Sequence, residues 1–158
     1  FTEGVSELDN LIDADSTPVL DGNRIYTVNF QGNLSVFDSA QRRAVWESKE
    51  SSFYEPFILR GVLGIISADS KISTYSSRTF ENSWKQEEYA LRELSNPETF
   101  KGHILVGDLE GYIHALDPLT GITVARKKIS RNKIITLVSR SDSFYAIDEK
   151  MKLFILSF

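Results

Sequence analysis

The sequence predicts an all-β chain, a partial β-propeller of four four-stranded antiparallel blades, the last lacking its outer strand. Three observations predict it. The first is an internal repeat, which has to be sought before anything else because it decides the architecture. Taking Pro18, Pro56, Pro97 and Leu137 as anchors, the spacings are 38, 41 and 40 residues. Seven positions after each anchor stand Ile25, Leu63, Ile104 and Phe144. Sixteen after stand Leu34, Ile72, Ile113 and Leu153, and nineteen after stand Phe37, Tyr75, Leu116 and Leu156. Polar turn formers recur eleven positions after the anchors (Asn29, Ser67, Asp108, Asp148) and twenty after (Asp38, Ser76, Asp117, Ser157). Trp46, Trp84 and Ala125 share a seventh register. The second observation is that each unit holds four short strand-like runs in about 40 residues, the size of a propeller blade. The third is that the third strands are apolar on both faces, so each must lie between two layers, which stacked blades supply.

Within the first unit the elements follow in order. A short strand, Thr17–Leu20, ends at the turn signal Asp21-Gly22-Asn23. Arg24–Val28 is rich in β-branched and aromatic residues and reads as the second strand. Asn29-Phe30-Gln31-Gly32 turns the chain, and Asn33–Phe37 and Ala44–Lys49 form the third and fourth strands. Leu34 and Val36 point one way and Phe37 the other, as Ile113 and Ala115 oppose Leu116. The blades are placed at about 12–50, 51–88, 89–130 and 131–158 of one half-propeller spanning 1–158. The fourth unit stops at Phe158, after its third strand. Residues 1–11 read as a preceding linker. Within it Ser6-Glu7-Leu8-Asp9-Asn10-Leu11-Ile12 combines a Ser-x-x-Asp start with apolar residues at helical spacing, which predicts a short helix.

Composition bounds the function. A chain of 158 residues with 41% hydrophobic and 11% aromatic content is one domain's worth with a real core. No window reaches the length of apolar sequence that a membrane helix needs. The opening Phe1-Thr2-Glu3-Gly4 lacks a basic region and apolar run, so it reads as the start of a fragment or mature segment, not a signal peptide. There is no cysteine, hence no disulfide, thiolate metal site, Cys nucleophile or lipidated Cys in this stretch. A net charge of −4 argues against nucleic acid, whose binders need a cationic footprint. The charge is uneven. The first 22 residues carry Glu3, Glu7, Asp9, Asp13, Asp15 and Asp21 without a Lys or Arg, while Ile122–Arg140 holds six bases and no acid. Two solvated surfaces account for this; an acidic docking patch is the functional reading.

Chemistry-bearing groups are sparse. Trp46 and Trp84, on outer strands, read as blade packing. His103 and His114 fall on successive strands of one blade without a close third ligand, a weak metal signal. No Ser–His–acid set, phosphate loop or HExxH occurs. No catalytic residue, cofactor or metal site is assigned. Asp13 and Asp15 stand just before a first strand, where turn capping competes with docking. Phe30, in the loop between second and third strands, belongs at the same end of the propeller. It is either an interface anchor or is partly buried by its own loop.

The run Gly111-Tyr112-Ile113-His114-Ala115-Leu116-Asp117-Pro118-Leu119-Thr120-Gly121 resembles the quinoprotein-type propeller repeat, which many proteins share. Ser6–Pro18, Gly32-Asn33-Leu34 and Leu105–His114 are more specific, and with them the whole chain resembles the second half of the eight-bladed BamB family of outer-membrane protein assembly factors. That resemblance implies a non-catalytic lipoprotein scaffold at the periplasmic face of the bacterial outer membrane, in the β-barrel assembly complex. It implies docking on the POTRA domains of the barrel-forming subunit BamA through an acidic Asp-x-Asp loop, here Asp13 and Asp15, with membrane attachment through a lipid anchor outside this stretch. The family's second docking loop, with Leu and Arg residues, belongs to an earlier blade and has no match in this chain. A quinone-dependent dehydrogenase propeller shares the repeat but needs a calcium-binding acid and Asn set, and no compact set of that kind is found. A peptide- or carbohydrate-binding propeller is the third alternative. Four blades leave two open flanks, expected to expose Leu34, Val36 or Phe37 on the first blade and Phe144, Tyr145, Phe154, Ile155 or Leu156 on the last. The expected partner for them is a second copy or the missing N-terminal half.

Overall fold

A computed structural model describes residues 16–30 and 32–157. The predicted helix over Ser6–Ile12, and Asp13 and Asp15, lie outside the described residues. Fifteen strands are ordered along the chain among those that are described. Blade 1 contains β1 (Val19–Asp21), β2 (Arg24–Val28), β3 (Leu34–Asp38) and β4 (Arg43–Ser48). Blade 2 contains β5 (Phe57–Leu59), β6 (Val62–Ile66), β7 (Ile72–Ser76) and β8 (Asn82–Gln86). Blade 3 contains β9 (Glu98–Phe100), β10 (His103–Gly107), β11 (Tyr112–Leu116) and β12 (Thr123–Lys128). Blade 4 contains β13 (Ile134–Arg140), β14 (Ser143–Asp148) and β15 (Leu153–Ser157). Each blade is a separate antiparallel sheet whose strands pair in sequence order, and the last has three strands. This is the predicted all-β partial propeller. No helix among the described residues is long and apolar enough to cross a membrane.

The turns explain why the repeat is so legible. Between first and second strands, Arg60-Gly61 and Lys101-Gly102 both have positive φ (51° and 78°, 44° and 80°), the two-residue hairpin geometry that matches strand twist. Between second and third strands, the side chain eleven positions after the anchor closes the loop. Asp108 Oδ1 accepts from the amides of Glu110 and Tyr112 at 3.0 and 2.9 Å, and Asp148 Oδ1 from those of Lys150 and Lys152 at 3.0 Å. Ser67 Oγ accepts from Lys71 N at 3.1 Å in blade 2. At the opposite end, Asp38, Ser76 and Asp117 accept from the amides two and three residues on, between third and fourth strands. The two polar registers are therefore turn caps, each satisfying backbone donors that the sheet cannot.

Asp148 carries a pH signature. Its carboxyl is held below the usual carboxylate range, first by the Ser130 hydroxyl at 2.7 Å, with the Lys152 amide, the Asn132 side chain and the Lys150 amide adding to it and burial opposing. A folded value below the unfolded one contributes stability that is complete above the ordinary Asp value, about 3.9, and is lost as pH falls through the folded value. Asp148→Asn is expected to flatten the loss of stability on acidification from pH ~5 downwards. Urea midpoints at several pH values check this, and an unchanged slope would remove Asp148 from the acid response.

Each interface between blades is an apolar layer. Tyr26, Val28, Leu34 and Val36 of blade 1 meet Leu63, Ile65 and Tyr75 of blade 2. Phe57, Ile66 and Ile72 of blade 2 meet Ile104, Val106 and Leu116 of blade 3. Leu105, Ile113 and Ala115 of blade 3 meet Leu137, Phe144 and Ala146 of blade 4. Polar locks add to these layers. Asn96 pairs its amide with both backbone groups of Leu137, at 2.9 and 3.0 Å, as a strand would. The two tryptophans dock each blade on the next. Trp84 donates Nε1–H to Pro118 O at 2.9 Å and lies over Gly121, where a Cβ would come within 2.6 Å of the ring. Trp46 stacks on Phe80 of blade 2 at 5.1 Å and meets Tyr75 edge-on at 5.0 Å. The packing role expected for this register is what the structure shows.

The expected composition of the open flanks needs correction. Leu34 and Val36 are fully buried against blade 2, so of the three residues named for the first flank only Phe37 lies on the open side. On the last blade Phe144, Phe154 and Leu156 pack against blade 3, while Tyr145 and Ile155 face outward. Side chains alternate along a strand, so the faces were separable in sequence. Which face meets a neighbour depends on the direction in which blades follow one another around the axis.

Candidate functional site: the loop end of the propeller

Strand order puts two kinds of loop at one end of every blade, the second-to-third-strand turn and the loop that enters the first strand. A buried serine ties them together in three blades. Ser16 Oγ donates to Val28 O at 2.5 Å and Ser52 Oγ to Ile66 O at 2.6 Å, and Ser95 Oγ accepts from Gly107 N at 3.0 Å. In each case the partner is the last residue of the second strand. The loops also reach between blades: Leu91 N donates to Asp69 O and Leu94 N to Ser70 Oγ, both at 3.0 Å, while within blade 3 Leu109 N donates to Arg92 O at 3.0 Å.

Phe30 sits in the turn after β2 and stacks on Phe53 of the loop entering blade 2, centroids 4.0 Å apart and planes 17° from parallel. The rings are 36% and 50% exposed, so the pair stands out on the loop end instead of filling a core. The stacking partner of Phe30 comes from a different loop, the one that enters blade 2. Lys49, Glu50, Ser51, Gly32 and Asn33 line a shallow polar cleft beside it. Ser16, which follows Asp15 in sequence, is held on the carbonyl of Val28, two residues before Phe30. Leu91, Leu109 and Met151 add exposed apolar side chains to loops of the same end. Phe53 escaped the sequence reading although a signal existed: it precedes Pro56 by three residues, as Asp15 precedes Pro18, in an otherwise polar loop.

The densest polar cluster is structural. Asp108 is fully buried. Its Oδ2 is 2.9 Å from His114 Nε2 and 3.3 Å from Arg92 Nη1, while Oδ1 caps the turn. Tyr89 covers the imidazole edge-on at 4.9 Å. Arg92 also reaches Glu110 at 3.3 Å. The group thus binds the loop entering blade 3 to that blade's second-to-third-strand turn. Among the described residues no group of three or more His, Asp or Glu is placed to hold a metal ion. His103 and His114 lie on neighbouring strands, and only His114 is buried, against Asp108.

Comparison with known proteins adds lineage to this geometry. The family model described as outer membrane protein assembly factor BamB matches residues 1–86, more than half of the chain and the part that holds Asp13, Asp15 and Phe30. The chain is 32% identical over 126 residues to the BamB of Marinobacter adhaerens, and 31% identical over 132 residues to that of Pseudomonas aeruginosa. These alignments cover 80% and 84% of this chain but 32% and 35% of those relatives, so the chain spans about a third of their length. The crystal structure of BamB from Moraxella catarrhalis superposes with a TM-score of 0.86 at 26% identity, covering 98% of this chain and 46% of that one. The computationally designed Ika4 protein superposes with a TM-score of 0.75 at 11% identity, a likeness of fold alone, covering 90% of this chain and 89% of that one. Family-model match, relatives and architecture agree: the chain belongs to the BamB family of outer membrane protein assembly factors.

Proposed function

We propose that the protein to which these residues belong is a non-catalytic scaffold in outer-membrane β-barrel assembly, working at the periplasmic face of the bacterial outer membrane. In this reading the loop end of blade 1 docks on the POTRA domains of the barrel-forming subunit BamA. The observation that carries the proposal is the family match over residues 1–86, which contains the acidic pair and the Phe30 turn together. The exposed Phe30–Phe53 stack supports it, because aromatic side chains are enriched in the cores of protein interfaces. Asp13 and Asp15 supply charge that steers a basic partner surface and fixes register, and Phe30 supplies buried apolar area.

The test is binding of the intact parent protein to isolated POTRA domains at low salt. Asp13→Lys with Asp15→Lys is expected to weaken binding at least tenfold, mostly through the association rate, and Phe30→Ala is expected to speed dissociation. Stability is expected to stay within about 0.5 kcal/mol of wild type for the charge reversals, as for other surface substitutions. Unchanged affinity at low salt would remove the acidic pair from the contact.

A further inference from the structure

The loop that enters blade 2 is built differently from those of blades 1 and 3. Ser16 and Ser95, which tie their loops to the end of the second strand, stand two positions before Pro18 and Pro97, with one residue between. Ser52 makes the same tie but stands four positions before Pro56, with Phe53, Tyr54 and Glu55 between. The two extra residues form a turn that is fixed on both sides of Phe53. Ser52 is fully buried; it donates its hydroxyl to Ile66 O at 2.6 Å, and its Oγ accepts from Tyr54 N at 3.0 Å. Tyr54 packs against the core between blades 2 and 3 and donates its hydroxyl to Leu94 O, in the loop entering blade 3, at 3.0 Å. Phe53 lies between these two anchored residues, yet its side chain is 50% exposed and stacks on Phe30. The turn therefore presents the ring at the loop end and does not bury it. Blades 1 and 3 flank this loop on its two sides, so Phe53 does not belong to an open flank of the propeller.

We infer that Phe53 is a partner-binding residue, that it acts with Phe30 as one unit, and that the docking surface therefore spans the loops of blades 1 and 2. The inference rests on the docking reading above and adds to it a residue and a blade. Stacked with centroids 4.0 Å apart and planes 17° from parallel, the two rings restrict each other's rotamers and form a single apolar plate. A plate ordered before contact loses less side-chain freedom on binding than two free rings would. Polar ground surrounds it. Gly32, Asn33, Lys49, Glu50 and Ser51 line the cleft beside it, and Ser16, next to Asp15, is tied to the carbonyl two residues before Phe30. An apolar centre rimmed by polar groups is the arrangement in which a buried aromatic contributes most to binding. The partner surface that fits is a POTRA face with an apolar side chain to seat on the rings and a basic group to meet the acidic pair.

Binding of the intact parent protein to isolated POTRA domains tests this, with Phe53→Ala, Phe30→Ala and the double variant compared by affinity and dissociation rate. Phe53→Ala is expected to weaken binding about tenfold, mostly through faster dissociation. Its salt dependence is expected to match wild type, because no charge is altered. The double variant is expected to lose little more than either single one, since removing one ring already releases the other. Phe53→Tyr keeps the ring and is expected to bind as wild type does. Thermal melting of each variant accompanies the binding, and only small shifts are expected for so exposed a side chain. Wild-type binding that Phe53→Ala leaves unchanged would overturn the inference while the docking reading stands. Losses that add in the double variant would overturn the single unit. A lowered melting temperature with unchanged dissociation would assign the stack to packing of the loop end and overturn the inference too. A wild-type parent that does not bind POTRA domains at all would overturn the docking reading itself, and this inference with it.

Discussion

Asp108→Ala is expected to lower the unfolding free energy by about 3 kcal/mol, with a range of roughly 3–5 for breaking a buried ion pair from one side. The carboxylate is fully buried and every contact it makes is a donor pointing at it: two turn amides, the His114 imidazole and the Arg92 guanidinium. Removing it strands the buried His114 nitrogen and the turn amides together. It also releases Arg92, and with it the loop whose carbonyl receives Leu109 N. Asp108→Asn keeps an acceptor for the amides but turns an N–H toward His114 or Arg92, so an intermediate loss is expected. Urea denaturation of wild type and both variants checks the order. A loss below about 1 kcal/mol for the alanine variant would mean that water replaces the carboxylate, against the burial seen here.

Gly111→Ala is expected to cost at least about 3 kcal/mol, although it adds one methyl group. Two effects combine. Gly111 has φ of +84°, a conformation that L-residues reach at a penalty of about 1–2 kcal/mol. The added Cβ would also stand 2.3 Å from the carbonyl oxygen of Ser130, and backbone cannot swing aside as a flexible side chain can. Moving that segment, which follows β12, would break the bond from Ile129 N to Gly111 O, 2.9 Å long. The comparison within the repeat isolates the cause. Ser70 and Met151 occupy the same register with φ of 66° and 60°, so the turn tolerates a side chain where no backbone segment crosses it. Thermal denaturation of Gly111→Ala beside Met151→Gly separates the two effects. A large loss only for Gly111→Ala assigns it to the Ser130 contact, and equal small effects would show that the contact relaxes.

The repeat registers, the blade count, the turn positions and the two-faced burial of the third strands of blades 2 and 3 were all legible in the sequence, because each follows from local rules. A turn needs a capping oxygen at a fixed offset, which is why Ser67, Asp108 and Asp148 recur. A strand alternates its faces, which is why Leu34 and Phe37 could be set apart. What the tertiary structure decided is everything that depends on how one blade sits against the next. Alternation gives two faces but not which of them is covered, so Leu34 and Val36 were expected on the open flank and lie instead against blade 2. The Phe30–Phe53 stack joins loops from two blades, 23 residues apart in sequence, and no local pattern encodes that contact. The Asp108–His114–Arg92 group likewise draws on a strand, a turn and an incoming loop. Local rules act over a few residues through hydrogen-bond geometry and side-chain direction, whereas these contacts arise from rotation of one sheet about the propeller axis relative to another, set by the summed packing of whole blades.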